Sequence, residues 1–172
     1  DPKTSGNVNF YNPESNSMES FDNIDEDGLK VFRRNIQMIF QDPYESLNPR
    51  WTIKDIINEP LDIHNIGSLS EREEAIIEIL RTVGLTPPEN YLARYPHEIS
   101  GGQRQRVSIA RTLVMKPKFV VCDEPTSMLD VSIRISIMDL MLNLAKELEV
   151  SYLYITHDLA VARYMCNRIA VM

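Results

Sequence analysis

The chain has 172 residues, 43% of them hydrophobic and 25% charged, and carries a net charge of −7 at pH 7. That length can bury a hydrophobic core and fits one domain with room for a subdomain. No apolar run approaches the ~18 residues of a membrane-spanning helix, no secretory signal opens the chain, and the acidic balance does not indicate an overall basic, nucleic-acid-binding surface, which leaves a local patch open. The charge is uneven: residues 1–29 hold the acids Asp1, Glu14, Glu19, Asp22, Asp25, Glu26 and Asp27 against Lys3, and the remainder is close to neutral. Cys122 and Cys166 form no disulfide framework and read as reduced thiols of a cytosolic protein, Cys122 acting as a small hydrophobe within an apolar run.

Residues 5 to 29, rich in Ser, Asn and Asp, read as an exposed loop in which only Val8 to Tyr11 is strand-like. Ile36 to Phe40 is an apolar, partly β-branched run and predicts a strand ending at Gln41. Asp42-Pro43 and Asn48-Pro49 follow. Each proline ring crowds the residue before it, so residues 41–50 read as a stiffened, extended loop. Thr52 to Leu61 predicts a short helix. Ser70 and Glu73 match a capping box for a helix whose stripe is Ala75, Ile76, Ile79, Leu80 and Val83, closed by Gly84. Ser100 to Met115 predicts a helix with Val107, Ile109, Ala110, Leu113 and Val114 facing inward, stopped by Pro117.

Phe119 to Cys122 is continuously apolar, the pattern of a strand with both faces covered. A helix is predicted over Ile133 to Leu148, a strand over Tyr152 to Ile155, a helix over Leu159 to Met165 and the start of a strand at Arg168 to Met172. Alternating strands and helices argue for an α/β fold with a parallel sheet. The all-helical stretch 51–98 breaks that alternation, giving a division into 1–50, a helical subdomain 51–98, and 99–172.

The polar residues at strand and helix ends carry the chemistry. Ser100 and Gln103 form a capping box around Gly101 and Gly102. Two glycines in a first turn cost ~1 kcal/mol each against alanine. Their bare backbone lets a phosphate reach the N–H groups at the positive helix end, although a well-capped helix alone would also suit the pattern. Arg104 and Arg106 read as a solvated basic face.

Asp123 and Glu124 end the apolar strand before Pro125, where a plain strand-terminal turn is the alternative. Functionally, Asp123 suits Mg²⁺ held partly through water, and Glu124 suits polarising an attacking water. His157 closes the next strand, and Gln41, with both a donor and an acceptor, closes the first. His64 and His97 read as structural.

Gln41-Asp-Pro, Ile99-Ser-Gly-Gly-Gln, Val120-Val-Cys-Asp-Glu-Pro, Ser127-Met-Leu-Asp130 and Thr156-His-Asp resemble, in order, the Q-loop, signature, Walker-B strand, D-loop and H-loop of an ABC ATPase. The resemblance covers about residues 30 to 172. Phe40-Gln-Asp-Pro-Tyr-Glu-Ser-Leu-Asn-Pro-Arg and Arg94-Tyr-Pro-His-Glu-Ile resemble the oligopeptide, dipeptide and nickel importer branch.

The resemblance implies an incomplete P-loop NTPase (RecA-like) core with ATP and Mg²⁺ as cofactors. Glu124, His157 and Gln41 would be catalytic, and Asp123 and Gln41 would serve the metal. Ser100, Gly101, Gly102 and Gln103 would meet the γ-phosphate bound to the opposite subunit, with Asp130 acting across the dimer seam. The implied partners are a second identical or different ATPase subunit, two transmembrane permeases contacted through residues 51–98, and indirectly an extracytoplasmic substrate-binding protein. The implied location is the cytoplasmic face of the membrane, as a peripheral subunit.

No G-x-x-x-x-G-K-[ST] loop occurs in the sequence. Asp1-Pro-Lys-Thr-Ser-Gly resembles the family segment just downstream of that loop, so the expectation is a fragment that does not turn over ATP by itself. Met128 stands where the family often has Ala. The other readings are a non-catalytic remnant that only binds partners, and a soluble ABC protein acting on ribosomes or DNA.

Overall fold

The computed structural model describes residue 6 and residues 9–12, 16–20 and 25–172. The expected strand start at Val8, and the loop expected over 5, 7, 13–15 and 21–24, lie outside the described residues. Two short strands, β1 (Asn9–Asn12) and β2 (Ser17–Ser20), pair antiparallel with Asn9 opposite Ser20. The exposed loop expected there is thus a hairpin, turned at Asn16 in the left-handed region that asparagine tolerates.

The second correction is larger. The acids read as loop open a helix, α1 (Glu26–Asn35). Asp25 caps it, accepting from the Gly28 N–H at 2.8 Å. Glu26 and Asp27 lie in its first turn and Arg33 and Arg34 in its last, each matched to the helix dipole.

The central sheet is parallel, in the order β3 (Ile36–Ile39), β4 (Phe119–Asp123), β5 (Ser151–Ile155). Ile36 is opposite Phe119 and Ile39 opposite Cys122; Asp123 is opposite Ile155. All three strands therefore end at one edge. Between β3 and β4 lie α2 (Pro43–Ser46), α3 (Ile53–Ile63), α4 (Leu69–Thr82), α5 (Glu89–Leu92), a 3₁₀ turn (Pro96–Glu98) and α6 (Gly101–Leu113). After β4 come α7 (Val131–Glu147) and, beyond β5, α8 (Leu159–Met165). The core joins Ile39, Val120 and Cys122 to Ile53, Ile57 and Leu80 of α3 and α4, Val107 and Ile109 of α6, and Ile137 and Met141 of α7.

Several boundaries differ from the sequence reading. Asp42 is extended, as Pro43 requires, but Pro43 then begins α2, with the Asp42 carboxylate accepting from the Tyr44 N–H at 2.7 Å. The cap of α4 is Ser68 with Glu71, not Ser70 with Glu73. Both pairs fit the same pattern, and Glu73 is engaged instead by Lys54 at 2.6 Å. Gly84 closes α4 with φ +76°, and the Leu85 N–H returns to the Leu80 carbonyl at 2.9 Å.

β4 is not covered equally: Val120 and Cys122 are buried while Phe119, Val121 and Asp123 are half-buried. On the face Val121 shares, Met38, Phe40, Leu153 and Ile155 are exposed, because the described helices pack mainly on the other face. Residues 168–172 form no strand. They join no ladder, and Val171 and Met172 are solvent-exposed.

Candidate active site

The geometry starts from three neighbouring strand tips. Immediately after β4, Glu124 adopts φ +43°, a left-handed conformation rare for glutamate. Its N–H donates to the Ile155 carbonyl at 3.0 Å, adding one bond to the ladder. Its carbonyl accepts from the Ser127 N–H at 3.1 Å and the Ser127 hydroxyl at 3.0 Å, closing a tight turn around Pro125. Backbone on both sides thus fixes a strained residue, a condition that collects at functional sites.

The Glu124 carboxylate is shared by its two neighbours. Oε1 lies 2.5 Å from His157 Nδ1, and Oε2 accepts from Gln41 Nε2 at 3.1 Å. Gln41 Nε2 also reaches the Ser127 hydroxyl at 3.3 Å. The hydrogen bond and charge of Glu124 push the His157 pKa up. His157 is itself exposed, whereas the Glu124 side chain is only 20% exposed. His157 sits between β5 and a capped helix: Asp158 Oδ1 accepts from the N–H groups of Ala160 and Val161 at 2.8 and 3.3 Å.

Gln41, Glu124 and His157 thus meet in direct contact. Asp123 ends β4 one residue before this trio. No group of three or more His, Cys, Asp or Glu able to cage a metal occurs among the described residues. Oxygen donors at this edge include the Asp123 carboxylate and the Gln41 carboxamide, and oxygen is the donor type of Mg²⁺, which takes one or two carboxylates.

Among the described residues no hydrogen bond or ion pair joins residues 100–103 to the trio. Ser100 caps α6, its hydroxyl accepting from the Gln103 N–H at 3.3 Å while Gln103 Oε1 accepts from the Ser100 N–H at 3.0 Å. The two glycines separate in role. Gly101 is half-buried, and a Cβ there would meet only Leu129 Cδ2 at 3.9 Å. Gly102 is buried, and a Cβ would come within 2.7 Å of Ile133 Cγ2. The packing of α6 on α7 therefore accounts for the missing side chain at Gly102. Asp130 is the exposed N-cap of α7, and its carbonyl accepts from the Arg134 N–H at 2.8 Å.

Arg104 and Arg106 do not form a solvated face. Arg104 is buried, donates to the Pro96 carbonyl at 2.8 Å and to the Tyr44 hydroxyl, and lies 3.7 Å over the Tyr44 ring. Arg106 bridges the Val83 carbonyl at 2.5 Å and the Ser136 hydroxyl at 2.9 Å. His97 stacks on Tyr95, and half-buried His64 ends α3 with its pKa lowered by burial and by Arg34 and Arg33.

Two contributors were not singled out from the sequence. Ser127 ties Gln41 to the Glu124 turn. Arg134 reaches the Ser127 and Leu129 carbonyls at 3.4 and 3.5 Å and Asp158 at 3.7 Å. The one signal for Arg134 was a base near the start of a long apolar helix whose other base, Lys146, lies in its last turn. Shape is a poor guide here: a cleft of about 460 Å³, lined by Arg33, Met38, Phe40, His64 and Arg111 among others, includes none of the trio.

Residues 2–127 match the family described as ABC transporter. The chain belongs to that family. This ABC transporter chain is 45% identical over 170 residues, 96% of its length, to the oligopeptide transport ATP-binding protein AppF of Bacillus subtilis, covering 51% of that protein. It is 52% identical over 145 residues to OppF of the same organism, covering 84% of this chain and 47% of the relative. With the dipeptide transport ATP-binding protein DppF of Lactococcus lactis it shares 48% over 151 residues, covering 87% and 48%. The chain thus spans about half the length of these relatives. Among solved structures, the ATP-binding cassette MJ0796, a dimer in a post-hydrolysis state bound to ADP and Pi, superposes with a TM-score of 0.75. The identity is 33%, over 96% of this chain and 68% of the other. The fold is that of an ABC ATPase core, built on a parallel sheet of three strands.

Proposed function

We propose that the protein is an ATP-hydrolysing subunit of an importer for oligopeptides or dipeptides. The contact of Gln41, Glu124 and His157 at one sheet edge carries the hydrolytic part; likeness to oligopeptide and dipeptide transport ATP-binding proteins supports the cargo class. Glu124 accepts the proton of the attacking water. Both of its oxygens are engaged here, so a water reaching Oε2 displaces Gln41 from the 3.1 Å bond. His157 keeps Oε1 and the orientation of the carboxylate, leaving Nε2 for a γ-phosphate oxygen.

Asp123 and the released Gln41 would hold Mg²⁺, which supplies charge stabilisation on the phosphates. Ser100, Gly101, Gly102 and Gln103 would offer the α6 N-terminus to nucleotide on a second subunit, with Asp130 at that seam. A head-to-tail pair of ATPase subunits follows from such a shared site. Residues 51–98, beside the Gln41 loop, would contact two permease subunits at the cytoplasmic face of the membrane. An extracytoplasmic binding protein would deliver the peptide to those permeases. The chain divides for these tasks into 1–50, 51–98 and 99–172.

The test is Glu124→Gln in the full-length protein. ATP binding is retained and turnover falls by roughly 10²–10⁴, the usual contribution of a positioned base. Turnover within a few-fold of wild type removes Glu124 from this role. For the transport half, Gln41→Ala and substitutions in 51–98 should reduce peptide uptake by membranes containing the permeases; unchanged uptake refutes it.

A further inference from the structure

Gln105, in the second turn of α6, is fully buried, yet neither its Nε2 nor its Oε1 has a hydrogen-bond partner among the described residues. A carboxamide brings two donors and an acceptor, and buried polar groups are almost always paired. An orphaned pair costs ~1–3 kcal/mol, which an apolar residue of the same shape would avoid. Its helical neighbours Val107, Ile109 and Ala110 show that apolar side chains fit this core.

Two observations locate the missing partner. Gln105 and Thr112 are two helical turns apart and share a stripe of α6, and the Thr112 hydroxyl, which donates to the Ser108 carbonyl at 2.9 Å, also lies 3.4 Å from the Met38 carbonyl of β3. α6 packs on β3 and leads directly back to the start of β4, which is parallel to β3, so it runs antiparallel to both. Two turns are ~10 Å of helix, and ~10 Å of strand is three residues. β3 ends at Ile39, so counting from Met38 puts Gln105 level with the strand exit just beyond it, where Gln41 follows. Independently, the preceding Arg104 grips Tyr44, two residues beyond Asp42.

We infer that Gln105 is a positioning residue for Gln41: its buried carboxamide takes up the backbone at Gln41–Asp42 when the Gln41 side chain leaves Glu124. This rests on the hydrolytic reading above. It would link the helix that opens at Gly101 to the state of the chain's own site. A group that makes its bonds only in the displaced state acts on the rate of the step, not on ground-state binding.

The experiment uses the full-length protein with Gln105→Met, an apolar side chain of similar length. The melting temperature is expected unchanged or raised, while kcat falls about tenfold with KM for ATP within about twofold. In a Gln41→Ala background the same substitution should change turnover by less than about twofold, since the amide to be positioned is gone.

A nucleotide-free readout keeps this apart from the hydrolytic reading. Gln41→Ala frees the strand exit from Glu124, so adding Gln105→Met should speed backbone amide exchange over residues 40–44 at least about fivefold. Turnover of Gln105→Met within twofold of wild type, equal losses in both backgrounds, or unchanged exchange would each overturn the inference. Wild-type protein without ATP turnover but with the exchange effect would sink the hydrolytic reading and leave the Gln105 contact standing. Should Gln105→Met not fold, Gln105→Leu is measured in its place, and failure of both to fold overturns the inference by making Gln105 indispensable to the resting core.

Discussion

The sharpest prediction concerns the glycine pair, because the structure gives its members opposite reasons to lack a side chain. In Gly102→Ala the new methyl would sit 2.7 Å from Ile133 Cγ2, where carbon atoms ordinarily rest ~3.5–4.0 Å apart. Ile133 is β-branched on α7, so its methyl cannot rotate away freely. Such overpacking costs ~1–3 kcal/mol, offset by up to ~1 kcal/mol of helix propensity. Gly101→Ala gains the same propensity and meets only Leu129 at an ordinary 3.9 Å. The propensity gain cancels between the two, so Gly102→Ala should be less stable than Gly101→Ala by ~1–3 kcal/mol. At ~2–4 °C per kcal/mol for a domain of this size, the melting temperatures differ by roughly 2–12 °C. Calorimetry of the full-length variants without nucleotide measures this. In an Ile133→Ala background the obstructing atom is gone, and the gap should close to within ~0.5 kcal/mol. If the α6 N-terminus meets phosphate as proposed, turnover should rank the Gly101 variant low despite its stability, because its methyl would cover those N–H groups. Equal melting of the two variants, or a gap that survives Ile133→Ala, would refute the packing argument.

Three further outcomes are expected. His157 should titrate above the ordinary histidine value of ~6.5, since Glu124 favours its protonated form; the pair's contribution is fully present below that value and lost as pH rises through the raised one. An NMR titration should show the midpoint falling back in Glu124→Gln, and an unmoved midpoint would exclude the contact. Arg104→Met should cost ~2–3 kcal/mol in urea denaturation by removing a buried cation from the Tyr44 ring and the Pro96 carbonyl, and Arg104→Lys should recover little of it. Ser68→Ala should cost ~1 kcal/mol and Ser70→Ala less than ~0.5; the reverse order would restore the cap first read from the sequence.

The strand tips were legible because each signal was local. A short apolar run followed by a polar residue places Gln41, Glu124 and His157 at strand ends, and parallel strands put those ends on one edge. The direct bonds from Gln41 and His157 to one carboxylate were not legible, since they depend on the left-handed turn at Glu124 and on Ser127. The first helix was missed because Asp25, Glu26 and Asp27 mark equally a solvated loop and a helix start, and only the Gly28 N–H decides between them. Ser68 and Ser70 offered the same pattern two residues apart, and only the bonds between Ser68 and Glu71 tell them apart. Burial of Gly102 under Ile133 is likewise a contact between distant segments that no spacing reveals.

The arginines of α6 make a related point about what helical spacing conceals. Arg104 and Arg111 are two turns apart on one stripe; the first holds Tyr44 and the second donates to the Ser46 carbonyl at 3.2 Å and pairs with Glu59 at 2.6 Å. Both therefore clamp the short helix that follows Gln41, and Arg111 adds α3. Arg106, on another stripe, joins the end of α4 to α7. Guanidinium suits this work because one rigid fork can serve two acceptors at once. The helix whose first turn carries Ser100 and Gly101 is thereby bonded to the segment that follows Gln41. Movement of that segment must either break these charge-assisted bonds or carry α6 with it. Since each such bond is worth ~1.5–3 kcal/mol, moving the two together is the less costly course, so a change at the Glu124 site should be felt at the N-terminus of α6.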